Sequence, residues 1–344
     1  MEAGVRARAW VARWWAGEAG LPGKALDAGL APAELLFRAA VAARNLAYGR
    51  GWLRVERAPV PVVSVGNVGV GGAGKTPVAA WIAARLLERG ERPAIALRGY
   101  GADEVQVHRE LNPGVPVFAA ARRIEAAREA AAAGCGVVVL DDGFQHRALA
   151  RDLDVVLVSV EGWTARRRLL PRGPWREDAS ALRRAGVLVA ARKSAPETEG
   201  ARVARELRAI APGVLVAECW LAPDALVPLG HEPESAPPAA GAAVLAVAAL
   251  ADPGPFAENL RGMGLAVELA AFPDHHAFDA AEAAALLARA AGRPIVMTHK
   301  DAVKLRDLLP PSAAAWVLTQ RVRFTAGEDA LLRALDAAVR GGRR

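Results

Sequence analysis

The 344-residue chain contains only two cysteines, Cys135 and Cys219, and neither lies in a pattern of closely spaced metal ligands. Isolated cysteines are typical of proteins in a reducing cytoplasm, and we expect both thiols to be buried. The chain also lacks an uninterrupted run of about 18 apolar residues, so the sequence predicts no membrane-spanning helix. Its first residues lack the apolar stretch and cleavage site of a secretory signal peptide, and we expect none.

Acidic residues are the scarcer charged class. The chain has 37 Asp and Glu against 44 Lys and Arg, which leaves a formal net charge of +7. A basic chain favours an anionic partner, such as a nucleic acid, a phosphorylated metabolite or an acidic lipid. Apolar residues make up 53% of the sequence, enough for a sizeable core, and the length predicts one large or two medium domains.

Residues 1–58 differ from the rest of the chain, because four of the nine tryptophans fall there among many arginines. Apolar residues recur in this segment at helical spacing, at Leu35, Leu36, Ala39, Ala40, Ala43 and Leu46. Trp and Arg beside an apolar stripe indicate an N-terminal amphipathic helix that lies in a membrane interface. The alternative is a pair of helices packed on their own domain, which the same pattern allows.

From residue 60 onward, short apolar strands alternate with helical stretches. This alternation predicts βαβ units, and hence a parallel sheet with helices on both faces, in a core domain over residues 59–221. Prolines cluster over residues 222–241 and predict a linker. The alternation then resumes over residues 242–344 and predicts a second, smaller α/β domain.

Residues 69–76 read GVGGAGKT and fit the phosphate-binding loop (P-loop) pattern G-x-x-x-x-G-K-[ST]. Residues 61–65 before this loop predict a buried strand, and residues 78–89 after it predict an amphipathic helix. Glycines let backbone N–H groups surround phosphate oxygens, and the helix N-terminus adds a partial positive charge. The expected nucleotide-binding residues of the loop are Gly69, Gly71, Gly72, Ala73, Gly74, Lys75 and Thr76. Lys75 is expected to reach the β- and γ-phosphates, and Thr76 to place its hydroxyl on Mg²⁺.

A second phosphate-linked pattern ends at Asp141 and Asp142, where the apolar run 137–140 stops at two carboxylates. In P-loop enzymes an acid at the end of such a strand holds Mg²⁺ next to the phosphate loop. The alternative is a carboxylate that caps a strand–helix turn. Gln145 and His146 follow, and either side chain could contact the nucleotide or the acceptor, although His146 fits an ordinary surface residue as readily.

Three further segments carry candidate chemistry. Residues 166–177 are dense in arginine and predict either an ordered phosphate-binding loop or a solvated basic loop. Asp274, followed by His275 and His276, suggests a general base or a metal site, although no further ligand is spaced to complete one. Residues 298–304 follow another strand end and predict a second ligand surface or a charged helix start.

Taken together, these segments resemble the tetraacyldisaccharide 4′-kinase (lipid A 4′-kinase) family. The matching runs occur in family order over roughly residues 30–305, and they are 59–67, 71–77, 98–101, 103–105, 140–146, 168–177, 272–278 and 298–304. The most specific of them are DDGFQH at residues 141–146 and FPDHH at residues 272–276. The P-loop alone would not select this family.

The resemblance implies ATP-dependent phosphorylation of the 4′-hydroxyl of a tetraacyl glucosamine disaccharide 1-phosphate, with Mg²⁺ as the metal. It also implies that the N-terminal helix attaches the protein peripherally to the cytoplasmic face of the bacterial inner membrane. The expected partners are therefore a lipid A disaccharide precursor and the inner-leaflet surface, with no nucleic acid.

The resemblance also implies roles on the nucleotide side. Lys75 corresponds to a catalytic γ-phosphate contact, and Thr76, Asp141 and Asp142 correspond to the Mg²⁺-side residues. Gln145 joins the nucleotide-binding set. The positions expected to line the nucleotide–acceptor cleft are Glu104, Arg123, Gln145, His146, Arg176 and Glu177.

On the acceptor side, Asp103 matches the position expected for the general base, and His275 is its expected catalytic partner. A carboxylate can take the proton of a sugar hydroxyl while a histidine orients and polarises it. The chain departs from the family pattern here, because only Ala102 separates Gly101 from Asp103. Glu104 is therefore the alternative base.

Two other functions remain open at this point. A P-loop nucleotide switch or metal-insertion GTPase is one, but the chain lacks a clear guanine-reading Asn-Lys-x-Asp run. A nucleic-acid-binding ATPase is the other, suggested by the basic charge, but no aromatic stacking module is evident. The Trp and Arg residues near the N-terminus fit a lipid surface at least as well as a nucleic acid.

Overall fold

The computed structural model describes residues 10–99, 102–164, 166–230 and 236–342. Contacts divide these residues into two units, which are treated separately below. The larger unit comprises residues up to 220 together with 322–342, and the smaller unit comprises residues from 221 to 321.

The strands are β1 (Val62–Asn67), β2 (Pro93–Leu97), β3 (Val117–Ala119), β4 (Val137–Asp141), β5 (Leu153–Ser159), β6 (Val187–Arg192), β7 (Leu215–Pro228), β8 (Ala243–Ala248), β9 (Ala266–Ala271), β10 (Ile295–Thr298) and β11 (Ala315–Ala326). The helices are α1 (Gly20–Gly49), α2 (Lys75–Glu88), α3 (Ala102–Leu111), α4 (Arg123–Ala132), α5 (Glu197–Ile210), α6 (Gly254–Gly262), α7 (Ala280–Ala290), α8 (His299–Leu305) and α9 (Glu328–Gly342). Residues 10–16 are also helical, and Ala179–Arg184 form a 3₁₀-helix.

In the larger unit, β1 to β6 and the beginning of β7 form a parallel sheet in the order β3-β2-β4-β1-β5-β6-β7. Every residue of β1, β2 and β4 is buried. Such continuous burial is expected of a parallel sheet with both faces covered. The α/β fold class predicted from the alternating pattern is thereby confirmed.

Helices α2, α4 and α9 cover this sheet with their apolar sides. The buried residues of α2 include Val78, Ala79, Ile82, Ala83 and Leu86, whereas Leu87 is exposed. Because β1 lies beside β4 in a parallel register that pairs Val65 with Asp141, the loop after β1 and the end of β4 share one edge of the sheet. This edge holds the candidate site.

The smaller unit contains a second parallel arrangement, in which β10 pairs with β8 and β11, and β8 pairs with β9. Its core contains Leu245, Val247, Phe272, Met297 and Leu305. Helix α7 begins with a capping box, in which Asp279 and Glu282 each bond the other's backbone N–H.

Two segments differ from the sequence prediction of domain boundaries. Residues 222–228, predicted as the start of a linker, continue β7 as a strand, because the backbone N–H groups of Ala225 and Leu229 find acceptors in residues 315–319. Helix α9, predicted to belong with residues 242–344, belongs instead to the larger unit. Its apolar residues Leu331, Leu335 and Val339 are buried, and the helix packs on β1 and β5.

Helix α1 is held by polar contacts and leaves apolar side chains exposed. Glu34 is buried and accepts hydrogen bonds from the Leu169 backbone N–H and from Arg172, both at 3.0 Å. The exposed side chains include Leu21, Leu35, Leu36 and Leu46. Among the described residues, none of the helices has the length and apolar character needed to cross a membrane.

The two cysteines are buried, as predicted. Burial raises the pKa of Cys219 to about 12 and also raises that of Cys135.

Candidate functional site

The loop between β1 and α2 has the backbone conformation that a phosphate cradle needs. Gly71 and Gly74 have φ angles of +103° and +84°, which side-chain-bearing residues rarely adopt, and α2 begins directly after Gly74. The N–H groups of the first turn of α2 therefore start at Lys75 and Thr76, beside the loop.

The arginine-rich segment 166–177 is an ordered part of this loop structure. Val70 N–H donates to the Pro174 carbonyl at 2.7 Å, and Arg176 N–H donates to the Val68 carbonyl at 2.7 Å. Gly69 pairs with Trp175 in a short antiparallel bridge. These bonds decide between the two sequence interpretations in favour of an ordered loop, and they bring Arg176 to the phosphate loop.

Asp141, at the end of β4, is joined to both neighbouring helices. Its Oδ2 accepts a hydrogen bond from the Thr76 hydroxyl at 2.9 Å and lies 3.0 Å from His108 Nε2 of α3. Burial would raise the pKa of Asp141, but the hydrogen bond from His108 and the charge of Lys75 hold it below its ordinary value. The site therefore favours an ionised carboxylate.

The other oxygen of Asp141, Oδ1, is buried and has no hydrogen-bond partner among the described residues. A buried carboxylate oxygen without a partner is costly unless a ligand satisfies it. With the Thr76 hydroxyl beside it, this set offers hard oxygen donors, which are the ligands that Mg²⁺ prefers. The residues present therefore fit that ion.

Asp142 presents a second carboxylate at the same edge. Its backbone is left-handed, with φ of +54°, and its carboxylate lies 3.6 Å from Lys75 Nζ and 3.3 Å from Arg176 Nη1. Arg176 also lies 3.4 Å from Gln145 Oε1, and Gln145 Nε2 donates to the Asn67 carbonyl at 2.7 Å. The predicted residues Lys75, Asp142, Gln145 and Arg176 are thus brought together.

The glycine after Asp142 is required by close packing. A Cβ on Gly143 would lie only 2.5 Å from Ser64 Oγ of β1, well inside van der Waals contact. Gly143 therefore lets the turn after β4 approach β1 closely enough to place Asp142 near the loop.

Arg123 and His146 flank these residues, and Arg123 carries the positive charge of the pair. Arg123 is only 5% exposed and donates to the Asp142 carbonyl at 2.8 Å. Burial lowers the pKa of Arg123, while the charges of Asp142, Asp141 and Glu104 act in the opposite direction. Burial, together with nearby arginines that include Arg123, lowers the pKa of His146 to about 4, so its imidazole is neutral near pH 7. The His146 side chain is therefore half-buried beside Arg123, unlike an ordinary surface residue.

The candidate bases Asp103 and Glu104 stand in the first turn of α3. Glu104 acts electrostatically on Arg123, and it precedes His108 by four residues, which places both on one side of the helix. Asn112, just after α3, donates to the Ala80 carbonyl of α2 at 2.7 Å. Helix α3 is thereby fixed beside the P-loop helix.

In the smaller unit, the two adjacent histidines have different surroundings. His275 has a left-handed backbone, with φ of +59°, and its Nε2 lies 3.1 Å from Lys300 Nζ. Lys300 also lies 3.1 Å from Asp274 Oδ1. His276 instead pairs with Glu282 at 2.8 Å and stacks on the Phe272 ring. Only His275 keeps a strongly exposed imidazole, because 55% of its side chain is accessible.

Segment 298–304 forms the predicted helix start. Thr298 caps α8 by accepting from Asp301 N–H, so this is a helix start. Asp301 is buried, and burial raises its pKa. Lys300 Nζ lies 3.1 Å from His275 Nε2. The described part of the chain contains no group of three or more His, Cys, Asp or Glu arranged to hold a metal ion.

The sequence is similar to known proteins of one family. The family model for "Tetraacyldisaccharide-1-P 4'-kinase" matches residues 26–114 and 103–340. The tetraacyldisaccharide 4′-kinase of Anaeromyxobacter sp. (strain K) is 44% identical over 95% of this chain and 94% of its own length. The enzyme of the same name from Halorhodospira halophila is 38% identical over 93% of this chain and 96% of its own.

The chain belongs to the tetraacyldisaccharide 4′-kinase family. A solved structure supports the same assignment: LpxK from Aquifex aeolicus, in complex with ATP, aligns with a TM-score of 0.69 at 26% identity. The alignment covers 91% of this chain and 99% of that protein. Family membership does not favour the alternative of a nucleotide switch or metal-insertion GTPase.

One residue assigned to the cleft of this kinase has another environment. The Glu177 side chain is fully buried and accepts from Arg184 at 2.9 and 3.1 Å and from Asn45 Nδ2 at 2.7 Å. Its carboxylate is therefore occupied in joining α1 to the 3₁₀-helix. The sequence resemblance placed it beside Arg176 in the cleft, whereas its hydrogen bonds run to Asn45 and Arg184.

Two residues of this kinase site escaped the sequence analysis. His108 contacts Asp141, yet a single histidine in an amphipathic helix carries no motif. Lys193, just after β6, places its ammonium 3.4 Å from where a Cβ of Gly72 would lie. Glu161 Oε1 accepts the backbone N–H groups of residues 193, 194 and 195, which fixes the loop that carries Lys193. The position of Lys193 after a strand at the same sheet edge was the available signal.

Proposed function

We propose that the protein transfers the γ-phosphate of ATP to the 4′-hydroxyl of a tetraacyldisaccharide 1-phosphate, a step in lipid A biosynthesis. The observation that carries the proposal is the 2.9 Å hydrogen bond from the Thr76 hydroxyl to Asp141 in a chain of this kinase family. The names of the relatives and the ATP complex of the Aquifex aeolicus protein support the substrate pair.

Mg²⁺ is part of this proposal. Thr76 Oγ1 and the Asp141 carboxylate would hold it, with Asp142 close by, and the buried Oδ1 of Asp141 supports this assignment. When bound, the ion neutralises charge on the phosphates and orients them for transfer. Few protein ligands suffice, because Mg²⁺ usually keeps several waters and phosphate oxygens around it.

The remaining nucleotide-side roles follow from charge and position. The loop residues Gly69 to Gly74 supply backbone N–H groups, and Lys75 supplies an ammonium for the β- and γ-phosphates. Lys75 and Arg176 both face Asp142, at 3.6 and 3.3 Å. We propose that both cations move to phosphate oxygens when ATP binds, with Arg123 fixed behind them as a buried positive charge.

On the acceptor side, we propose Asp103 as the general base and His275 as its partner, with Glu104 as the alternative base. The 4′-hydroxyl oxygen forms a bond to the γ-phosphorus, the bond from that phosphorus to the β–γ bridging oxygen breaks, and the hydroxyl proton passes to the carboxylate. ADP leaves with the bridging oxygen. The Lys300 ammonium can only donate, so Nε2 of His275 accepts this hydrogen bond. The ring proton of His275 is therefore on Nδ1.

We propose that the protein lies peripherally on the cytoplasmic face of the inner membrane through α1. The support is the exposed apolar side of that helix, where Leu21, Leu35 and Leu36 are 80%, 66% and 72% exposed. Side chains of this kind enter a lipid interface readily, and the net charge of +7 favours anionic headgroups.

In vesicle flotation, Leu35→Glu with Leu36→Glu is expected to release the protein from anionic vesicles. Leu87→Glu, an exposed leucine of α2, is the matched control.

The catalytic proposal is tested by lipid-dependent ADP formation. The wild-type protein with MgATP is expected to release ADP only when the tetraacyldisaccharide 1-phosphate is present. Asp103→Asn is expected to lower kcat by about a hundredfold or more while ATP binding persists, since a general base contributes about 10²–10⁴-fold. Retained kcat in Asp103→Asn with loss in Glu104→Gln would move the base to Glu104. Equal ADP release without lipid would contradict the proposed function.

A further inference from the structure

His108 is a buried imidazole that contacts Asp141 at the end of β4. Its side chain is fully inaccessible, and its Nε2 lies 3.0 Å from Asp141 Oδ2. A carboxylate only accepts hydrogen bonds, so Nε2 is the donor when Asp141 is ionised. The other ring nitrogen, Nδ1, is buried and has no hydrogen-bond partner among the described residues.

We propose that His108 is a positioning residue that orients the Asp141 carboxylate toward Mg²⁺. The inference rests on the proposed function, because it requires Asp141 as the Mg²⁺-side acid. His108 itself touches neither substrate nor metal in this account.

The hydrogen bonds on Asp141 are divided unequally between its two oxygens. Thr76 Oγ1 and His108 Nε2 both bind Oδ2, at 2.9 and 3.0 Å, whereas Oδ1 has no partner in the described structure. Rotation of the carboxylate would break both bonds at once. The pair of donors therefore fixes which oxygen is presented to a ligand, and Thr76 alone would leave the group freer to turn.

The unpartnered nitrogen argues against a purely structural role for His108. A buried ring nitrogen without a hydrogen bond carries a desolvation cost that an apolar side chain of similar size would avoid. Packing alone would favour such an apolar side chain in α3. The contact with Asp141 is what the imidazole adds.

His108 also links the acceptor-side helix to the metal-side strand. Asp103 and Glu104 begin α3, and His108 lies one turn after Glu104 on the same helix. Asn112 fixes the end of α3 to the Ala80 carbonyl at 2.7 Å. The base-bearing helix is thus tied to Asp141 on one side and to α2 on the other, so its position follows that of the Mg²⁺-side acid.

The test compares His108→Met with His108→Gln, two unbranched side chains of similar size. Glutamine can place an N–H donor near the position of Nε2, whereas methionine cannot. Gln106→Leu is the matched control, because Gln106 lies on the same helix and donates to Glu110, at 3.0 Å, rather than to Asp141. ATP affinity is measured by titration calorimetry with excess Mg²⁺ and again with EDTA, and the melting temperature of each variant is recorded.

We expect His108→Met to weaken ATP binding about tenfold in Mg²⁺, the loss associated with one hydrogen bond to a charged group. Its affinity in EDTA should match that of the wild type. His108→Gln should restore most of the Mg²⁺-dependent affinity, and Gln106→Leu should change neither value. If His108→Met does not fold, His108→Asn takes its place, because its shorter amide cannot reach Asp141, and the same loss is expected.

Unchanged Mg²⁺ dependence in a folded His108→Met or His108→Asn would overturn the proposal. So would a His108→Gln variant that loses as much affinity as His108→Met, since that result indicates packing alone. Wild-type protein that binds ATP equally with Mg²⁺ and with EDTA would overturn the inference together with the metal role of Asp141. Normal Mg²⁺-dependent binding without phosphorylated lipid would instead contradict the proposed function and leave the His108 comparison intact.

Discussion

The Thr76 hydroxyl donates a 2.9 Å hydrogen bond to Asp141, joining the first turn of α2 to the end of β4. Thr76→Ala removes this donor and the hydroxyl ligand proposed for Mg²⁺. We expect kcat to fall about tenfold to a hundredfold, as for loss of a hydrogen bond to a charged group, about 1.5–3 kcal/mol. Thr76→Ser keeps the hydroxyl and should retain most of the activity. Steady-state phosphorylation of the lipid acceptor measures both, and equal kcat values in the two variants would contradict the role of the hydroxyl.

The contact between Lys300 and His275 gives a prediction for the acceptor side. Lys300→Met removes the ammonium 3.1 Å from Nε2, so the imidazole loses the group that orients it. We expect kcat to fall about tenfold, the loss of one charge-assisted hydrogen bond, with little change in the KM for ATP. Lys304→Met is the control, because Lys304 lies on the same helix and donates to the His276 carbonyl at 3.0 Å. If both variants lose kcat equally, Lys300 has no specific role in placing His275.

Glu177 should contribute to stability rather than to catalysis. Glu177→Ala leaves Arg184 and Asn45 without their buried acceptor, and removing one partner of a buried ion pair costs about 3–5 kcal/mol. Urea denaturation should show this loss in the free energy of unfolding. Glu88→Ala removes a pair with Arg85 that is exposed to solvent, which should cost less than about 1 kcal/mol. Comparable losses in the free energy of unfolding of the two variants would show that burial of Glu177 adds nothing to the stability of the protein.

Two glycines should respond in opposite directions to alanine. A Cβ on Gly66 would lie 2.5 Å from Phe144 Cβ and 2.7 Å from the Phe144 backbone nitrogen, so Gly66→Ala forces the packed strand apart. We expect a loss of about 1–3 kcal/mol, typical of overpacking. Gly29 lies within α1 with open space around it, so Gly29→Ala should stabilise the helix by up to about 1 kcal/mol. Thermal unfolding measures both, and a stabilised Gly66→Ala variant would refute the close approach.

His146 should make stability fall at acidic pH. Burial lowers its folded-state pKa from 6.5 to about 4, so between these values the unfolded chain binds a proton that the folded chain does not. The contribution of His146 to the stability of the folded protein is therefore constant above about pH 6.5 and is lost as the pH falls toward about 4. Urea unfolding at several pH values measures the free energy of unfolding. Between about pH 4 and 6.5 this free energy should rise less steeply with pH in His146→Gln than in the wild type. Identical slopes would show that His146 titrates normally in the folded protein.

Local patterns predicted the strands, loop and helix at this edge of the sheet. The P-loop, its flanking strand and helix, and Asp141 are all encoded within short stretches, because buried parallel strands are runs of apolar residues and the loop needs glycines. Thr76 and Asp141 were both expected on the metal side, and the structure places them in direct contact.

Long-range contacts limited the rest of the prediction. The prolines at residues 223 and 228 indicated a linker, but acceptors some 90 residues away complete β7 as a strand. The resemblance placed Glu177 in the cleft, because the neighbouring sequence does not show its contact with Asn45, 132 residues earlier in the chain. His108 carries no motif, so its contact with Asp141 becomes visible only when α3 is placed beside β4.

The central claim is that the γ-phosphate goes to the 4′-hydroxyl of the lipid. The direct measurement incubates the purified protein with γ-³²P-labelled ATP, Mg²⁺ and tetraacyldisaccharide 1-phosphate, and then locates the label in the product. The account predicts a labelled 1,4′-bisphosphorylated lipid from the wild type, product formed about tenfold to a hundredfold more slowly by Thr76→Ala, and about a hundredfold or more slowly by Asp103→Asn. Label released only as inorganic phosphate by folded, ATP-binding protein would contradict it.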